Sequence, residues 1–206
     1  MKVTGIVLAG GASSRMGTDK SQLRLDGMTV LERIAGEVRK AANRVIVTGS
    51  KGGSLPFGLE AVPDQYPGQG PLAGLHAGLK ETRTEWSILC ACDMPLVNAE
   101  TMLALLTLAD EPWNAVIPVI GGRKQPLLAA YHHRVLPGLE ERLQAGRLRM
   151  QDWLDTISAV YVDGEQLAAS GSRAADKVFF NMNEPEDYRR VTGWLREEAS
   201  LKNHDC

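Results

Sequence analysis

Short apolar runs alternate with helical patterns along this chain of 206 residues. The runs VTGIVL (3–8), RVIVTG (44–49) and WSILCACD (86–93) have the length and composition of buried strands. Between them, apolar residues recur at helical spacing, as in 31–38 and 71–82. Strands that alternate with helices build βαβ units and hence a parallel sheet. The pattern therefore predicts an α/β fold around a mostly parallel central sheet.

The C-terminal half has a more mixed pattern. Segments 114–120 and 125–131 are both strand-like, and the glycine-containing stretch 121–124 between them predicts a hairpin. A helix at 135–145, a strand at 157–162 and a helix at 184–198 follow. The sequence thus predicts a mixed C-terminal part of the sheet. We expect one domain over residues 1–199 and a frayed tail at 200–206.

The bulk properties exclude several classes of protein. A net charge of −2 lacks the positive potential with which proteins bind nucleic acid or membrane surfaces. No apolar run approaches the roughly 20 residues that span a bilayer, and the N-terminus has no signal-peptide pattern. Three cysteines make no disulfide framework. We therefore expect a cytoplasmic protein with no nucleic-acid and no membrane partner.

A loop rich in glycine and small residues, LAGGASSRMGTDKS (8–21), follows the first strand. A dinucleotide-binding loop needs G-x-G-x-x-G, but Gly10 and Gly11 are adjacent. A Walker A loop needs a glycine before its Lys-Ser pair, where Asp19 stands. A nucleophile elbow needs G-x-S-x-G, and Arg15 takes the place of its second glycine. The loop is therefore none of these three sites.

The same loop nevertheless has the chemistry of a phosphate site. The adjacent glycines Gly10 and Gly11 let the backbone turn and present N–H groups to an anion. Arg15 can grip phosphate oxygens in a bidentate way, and Lys20 adds a point charge. The loop follows a strand at the sheet edge where open α/β sheets bind ligands. The alternative interpretation is an ordinary turn with solvated charges.

Two aspartates follow predicted strands and are candidate ligands. Asp93 comes directly after an apolar strand, where a carboxylate can hold Mg²⁺ together with substrate phosphates; the alternative is a turn or helix-capping aspartate. Asp64 precedes a loop rich in glycine and proline. Its carboxylate could accept hydrogen bonds from the N1–H and N2 amino group of guanine, although such a segment is also an ordinary turn.

Two asparagines lie near the C-terminus in NMNEPED (181–187). Asn183 and Glu186 have the spacing of a capping box at the start of the last helix. A ligand role for Asn183 is an equal alternative. Asn181 has no capping role and is free to face a ligand.

A histidine and two cysteines are given structural roles. His76 lies near the apolar face of a predicted helix, where a partly buried, hydrogen-bonded histidine is expected. Cys90 and Cys92 alternate within a buried strand and have no second ligand pair, so they are interpreted as small core residues.

The motifs LAGGASSRMGTDK, YPGQGPLAGL, CACDMP and NMNEPED occur in this order, and together they resemble the molybdenum cofactor guanylyltransferases. The resemblance covers roughly Val3 to Arg189. It implies a nucleotidyltransferase of GT-A-like, Rossmann-like fold, that is, a three-layer sandwich. It also implies transfer of GMP from GTP to the phosphate of molybdenum-bearing molybdopterin, with release of pyrophosphate.

The resemblance assigns roles to individual residues. Arg15, Lys20 and Asp93 would be catalytic, with Asp93 as the Mg²⁺ ligand, and Asn181 and Asn183 would lie on the molybdopterin side. Thr48 stands where some members carry a nucleotide-contacting asparagine. The residues implied in GTP binding are Leu8, Ala9, Gly10, Gly11, Lys20, Thr48, Asp64 and Asp93.

The attacking group in this reaction is an already ionised phosphate, so no general base is required. Partners implied by the family are GTP, molybdopterin, other molybdenum-cofactor biosynthesis proteins and acceptor molybdoenzymes. Two alternatives remain open. One is a nucleotidyltransferase of the same fold with a sugar 1-phosphate acceptor or with cytidylyl transfer, and the other is a non-catalytic carrier of nucleotide or cofactor.

Overall fold

The computed structural model describes residues 1–10, 20–49, 55–172 and 175–204. The strands are β1 (Val3–Leu8), β2 (Arg24–Leu25), β3 (Met28–Thr29), β4 (Arg44–Thr48), β5 (Glu60–Val62), β6 (Trp86–Ala91), β7 (Ala115–Ile120), β8 (Arg123–Lys124), β9 (Leu128–His132) and β10 (Ala159–Asp163). The helices are α1 (Val30–Ala41), α2 (Pro71–Glu81), α3 (Ala99–Thr107), α4 (Leu136–Gln144), α5 (Met150–Leu154), α6 (Gly164–Ala169), α7 (Ala175–Val178) and α8 (Pro185–His204). None of these helices combines the length and the apolar character that a bilayer crossing demands.

The central sheet has the strand order β10-β7-β9-β6-β1-β4-β5, and β8 pairs with β7 at the side. The pairs β6–β1, β1–β4 and β4–β5 are parallel. Because β1 lies between two parallel neighbours and is buried along its whole length, it reads as a continuous apolar run rather than an alternating one. The predicted α/β fold with a mostly parallel sheet is confirmed.

The C-terminal part of the sheet is mixed, as predicted. Strand β9 is antiparallel to both of its neighbours, β6 and β7, and β10 is parallel to β7. The predicted hairpin is more elaborate than the sequence indicates. Gly121 and Gly122 have positive φ angles and join β7 to the short β8, and the chain then continues into β9.

Helix α2 packs closely against the sheet, and two glycines allow this approach. Residues 72–79 of this helix are all buried. A Cβ atom at Gly74 would lie 2.6 Å from Leu8 Cδ2, and one at Gly78 would lie 2.6 Å from Ile6 Cγ2. Both contacts are shorter than real Cβ atoms make, so a side chain at either position would force Leu8 or Ile6 to shift.

The chain around the start of α8 is bonded to the segment after β6 and to β2. The N–H of Met182 donates to the carbonyl of Asp93 at 2.7 Å, and the hydroxyl of Tyr188 donates to the carbonyl of Arg24 at 2.6 Å. Val191 and Leu195 are buried, as the periodicity predicts. Helix α8 runs to His204, into the segment predicted to be a tail.

We expect Gly78→Ala to lower the free energy of unfolding by about 1–3 kcal/mol, because the added methyl group overpacks the contact with Ile6. Urea unfolding followed by circular dichroism measures this change. The control is Gly36→Ala in α1, where a Cβ meets nothing within 4 Å, so that alanine should stabilise the helix slightly. Equal stability of Gly78→Ala and the wild type would contradict the packing argument.

Candidate functional site

A cavity of about 480 Å³ opens at the carboxyl edge of the parallel strands. This is the edge at which open α/β sheets bind ligands. Its wall consists of Leu8, Ala9, Gly10, Lys20, Gly49, Asp64, Gly68, Gly70, Pro71, Gly74, Ala91, Cys92, Asp93 and Leu127. The segments after β1, β4, β5 and β6 therefore converge on one site.

Most of the nucleotide-binding residues predicted from the sequence lie on this wall. They are Leu8, Ala9, Gly10, Lys20, Asp64 and Asp93. Gly11 and Arg15 lie outside the described residues. Thr48, Asn181 and Asn183 are not part of the wall.

The loops after β1 and β4 touch through two glycines. The N–H of Ala9 donates to the carbonyl of Thr48 at 2.9 Å. Gly49 has φ +74°, and a Cβ on it would lie 2.8 Å from the Gly10 nitrogen. Since only glycine combines a positive φ angle with so close a backbone approach, these residues shape the floor of the cavity. The sequence indicated a sharp backbone turn at Gly10. For Gly49 it indicated only that a predicted strand ends at a glycine.

Thr48 lies beneath the cavity wall rather than on it. Its side chain is fully buried, and its hydroxyl oxygen has no hydrogen-bond partner among the described residues. The same oxygen would be 3.0 Å from a Cβ at Gly74, which does line the cavity. The structure therefore does not bring the predicted nucleotide contact of Thr48 to the cavity surface.

Asp64 lies on the cavity wall just after β5. Its Oδ1 accepts a hydrogen bond from the Gly49 N–H at 3.2 Å, which ties the end of β4 to the segment after β5. Burial raises the pKa of Asp64. The hydrogen bond from the Gly49 N–H and the electrostatic interaction with His76 lower it. Because a carboxylate has about four lone-pair positions, the group retains acceptor capacity for a ligand.

Asp93 lines the cavity with a largely buried carboxylate. Its Oδ1 is buried and makes no hydrogen bond to the part of the chain that the structure describes. Burial raises the pKa of Asp93, and the positive charge of Lys20 lowers it. A buried, unpaired carboxylate oxygen is costly unless a cation or ligand satisfies it.

These features fit a magnesium ion held partly by substrate. Among the described residues there is no group of three or more acidic, histidine or cysteine side chains that could hold a metal. Mg²⁺ usually takes one or two carboxylates from the protein and completes its shell with phosphates and water. The Asp93 oxygen, which has no partner among the described residues and belongs to the cavity wall, meets this requirement.

Lys20 is held by the C-terminal segment. Its Nζ donates to Asn183 Oδ1 at 2.6 Å, a contact between residues 163 positions apart.

The predicted capping box of Asn183 with Glu186 is not formed. Instead, the Asp187 carboxylate accepts the N–H groups of Asn183 and Glu184 at 2.8 and 2.9 Å. The Asn183 side chain is therefore available to Lys20, because the carboxylate four residues later takes over the cap.

Several wall residues were not singled out as ligands by sequence reasoning. Gly68 and Gly70 have φ angles of +80° and +74° and shape the loop before α2, and their signal was the density of glycines in YPGQGPLAGL. Cys92 was interpreted as a core residue and is buried, yet it also lines the cavity. Leu127 comes from the β8–β9 connection, and no sequence signal could have placed it here.

Comparisons with known proteins find matches over most of the chain. The sequence profile of the MobA-like NTP transferase domain matches residues 5–160. A protein of Bacillus cereus (strain AH187) named probable molybdenum cofactor guanylyltransferase is 35% identical over 205 residues, which are 96% of this chain and 99% of the relative. A Bacillus anthracis protein (strain CDC 684 / NRRL 3495) of the same name is 36% identical over 195 residues, or 91% and 94% of the two chains.

Solved structures share the fold. Molybdopterin-guanine dinucleotide biosynthesis protein A from Archaeoglobus fulgidus superposes with a TM-score of 0.80 at 24% identity, over 94% of this chain and 99% of the other. The 2-C-methyl-D-erythritol 4-phosphate cytidylyltransferase of Thermus thermophilus gives a TM-score of 0.68 at 19% identity, over 95% and 100%. The profile and the Bacillus relatives each cover most of the chain, and the chain therefore belongs to the family of MobA-like NTP transferases, enzymes of the nucleotidyltransferase class.

Proposed function

We propose that this enzyme transfers GMP from GTP to the phosphate of molybdenum-bearing molybdopterin and releases pyrophosphate. The observation that carries the proposal is the meeting of Lys20, Asp64 and the unpaired oxygen of Asp93 in one cavity. A nucleoside triphosphate requires these three groups. Lys20 is the cation for the phosphates, Asp64 is the carboxylate for the base, and Asp93 is the carboxylate for the metal. The names of the Bacillus relatives support the choice of guanine and of the molybdenum cofactor.

The base side of the cavity suits guanine. Guanine presents two donors, N1–H and the N2 amino group, to a carboxylate, whereas adenine presents an acceptor at N1. Oδ1 of Asp64 accepts a hydrogen bond from Gly49. The remaining lone pairs of the carboxylate would accept hydrogen bonds from the two guanine donors. Gly68 and Gly70, beside it on the wall, leave room for a flat base to approach the backbone.

The phosphate side suits a transfer that needs no general base. An ionised oxygen of the acceptor phosphate attacks the α-phosphorus of GTP, and the bond from this phosphorus to the bridging oxygen breaks. Pyrophosphate leaves with the electron pair, and no proton is removed. Lys20 would orient the triphosphate and stabilise the developing charge, as would Arg15, which lies outside the described residues.

Asp93 would hold Mg²⁺ through its unpaired oxygen. When bound, this ion would neutralise charge on the phosphate oxygens. The raised pKa of Asp93 is compatible with this role, because a bound cation favours the ionised carboxylate.

The C-terminal segment would receive the acceptor. Asn183 contacts Lys20, and Met182 is bonded to the backbone of Asp93, so residues 181–183 follow the phosphate end of the cavity. An acceptor phosphate bound by Asn181 and Asn183 would then lie near the α-phosphorus. Lys20 would then lie between the triphosphate and the acceptor and would interact with both substrates.

Product identity tests the base and the acceptor together. With molybdopterin, Mg²⁺ and each of the four nucleoside triphosphates in turn, we expect mass spectrometry to detect a GMP adduct and equimolar pyrophosphate from GTP alone. A CMP adduct without a GMP adduct would contradict the guanylyl assignment. Binding of GTP without pyrophosphate release would instead favour the carrier alternative.

We expect Asp93→Asn to lower kcat by about 10²- to 10³-fold, because the amide cannot offer an anionic oxygen to the metal. Pyrophosphate release at saturating GTP and Mg²⁺ measures this. Asp152→Asn on the exposed face of α5 is the matched control and should keep the wild-type rate. Near-wild-type turnover by Asp93→Asn would remove this residue from catalysis.

Asn183→Ala should lower kcat about 10- to 100-fold, since Lys20 loses a charged hydrogen bond of roughly 1.5–3 kcal/mol. Asn183→Asp keeps an acceptor for Lys20, so this variant should retain kcat while the KM for the phosphorylated acceptor rises through charge repulsion. Steady-state kinetics with varied acceptor separates the two parameters. A wild-type kcat in Asn183→Ala would show that the contact with Lys20 has no part in the reaction.

A further inference from the structure

A fully buried histidine lies directly behind the loop that carries Asp64. His76 is on α2, its side chain is fully buried, and neither ring nitrogen has a hydrogen-bond partner among the described residues. Sequence reasoning predicted a partly buried and hydrogen-bonded histidine at this position, and that prediction is wrong. A buried imidazole whose nitrogens make no hydrogen bond to the described residues is unfavourable, so its presence requires an explanation.

The ring of His76 is in contact with the base loop, which we define as residues 64–70. The Tyr66 ring stands edge-on to it, with centroids 5.2 Å apart and an interplanar angle of 77°. The Gln144 side-chain amide on α4 donates a hydrogen bond to the Tyr66 hydroxyl at 3.4 Å. Tyr66 is thereby held between α2 and α4, and the orientation of the base loop depends on what lies beneath this ring.

A second set of contacts makes this support sensitive to charge. Glu140 on α4 places Oε1 3.6 Å from His76 Nε2 and 3.7 Å from Lys80 Nζ. Lys80 also donates to Gln65 Oε1 in the base loop at 2.9 Å. The charged groups that face His76 are therefore Glu140, Lys80 and, across the loop, Asp64.

We propose that His76 is a positioning residue for the base loop. Its neutral ring supports Tyr66 and keeps Asp64 in place, and protonation of the ring loosens the loop and weakens nucleotide binding. The assignment rests on the proposed function in one respect, namely that the base loop receives the nucleotide base. The loop movement itself requires only the contacts of Tyr66 and Gln65 with the two helices.

The direction of the pH effect follows from burial. Burial lowers the pKa of His76, Glu140 raises it, and Lys80 lowers it. A histidine whose pKa is lower in the folded protein stabilises the native arrangement above its ordinary pKa of about 6.5. That contribution is lost as the pH falls from about 6.5 through the lowered value. The base loop should thus be well held at neutral pH and loosened in mild acid.

Hydrogen exchange of the base loop without nucleotide tests the inference directly. Protection of residues 64–70, corrected for intrinsic exchange, is compared between about pH 5.5 and 7.5 in the wild type and in His76→Gln. We expect protection in the wild type to fall about threefold to tenfold more than in His76→Gln, because only the wild type gains a proton at this position in mild acid. Because Asp64 titrates in both proteins, the difference isolates His76. The same pH dependence in both proteins would overturn the proposal.

Two further variants keep the test informative if His76→Gln fails to fold. Glu140→Gln removes a group that raises the pKa of His76, so the folded pKa falls further and the loss of protection should become larger and extend to lower pH. Glu141→Gln, its exposed neighbour on α4, should leave the profile unchanged. A profile that Glu140→Gln does not move would also overturn the proposal.

Nucleotide binding provides the second readout. Calorimetric Kd values for GTP should rise more steeply below about pH 6.5 in the wild type than in His76→Gln, with kcat at saturating GTP little affected. Binding of ATP or CTP in preference to GTP would refute the guanine assignment without altering the exchange result. Failure of the proposed function is thus distinguishable from failure of the inference about His76. A steeper Kd profile in His76→Gln than in the wild type would overturn the latter.

Discussion

The parallel pairing of β1 with β4 and β6 is the interaction on which the site depends. Each strand ends at the same edge, and the Cys92 N–H continues the β6–β1 ladder by donating to the carbonyl of Leu8 at 3.0 Å. The residues that follow these strands must therefore meet, however far apart they are in sequence. Leu8, Ala9 and Gly10 after β1 and Asp93 after β6 line one cavity for this reason.

The second constraint is close backbone approach, which glycine permits. Gly10 and Gly49 let the two loops touch, and Gly74 and Gly78 let α2 lie against β1. Helix α2 in turn positions the base loop at its N-terminus and His76 behind that loop. The same helix thus links packing of the core to the geometry of the proposed base site.

Parts of the site were predictable because they follow from strand ends. Lys20, Asp64 and Asp93 were expected at the sheet edge, and all three lie on the cavity wall. Other parts were not, since they depend on contacts between distant segments. The Lys20–Asn183 hydrogen bond is one example. Another is the capping of residues 183 and 184 by Asp187 instead of Glu186.

The sequence by itself determined the alternation of strands and helices, the glycines at the turns and the order of the motifs. Apolar periodicity indicates which face of an element is buried, and glycines between predicted elements indicate turns with special backbone angles. Neither records the partner. Only the tertiary structure decided that Asn183 holds Lys20 and that Gly49 binds Asp64. It also decided that His76 is enclosed without a hydrogen-bond partner among the described residues, because such contacts arise when separate elements pack together.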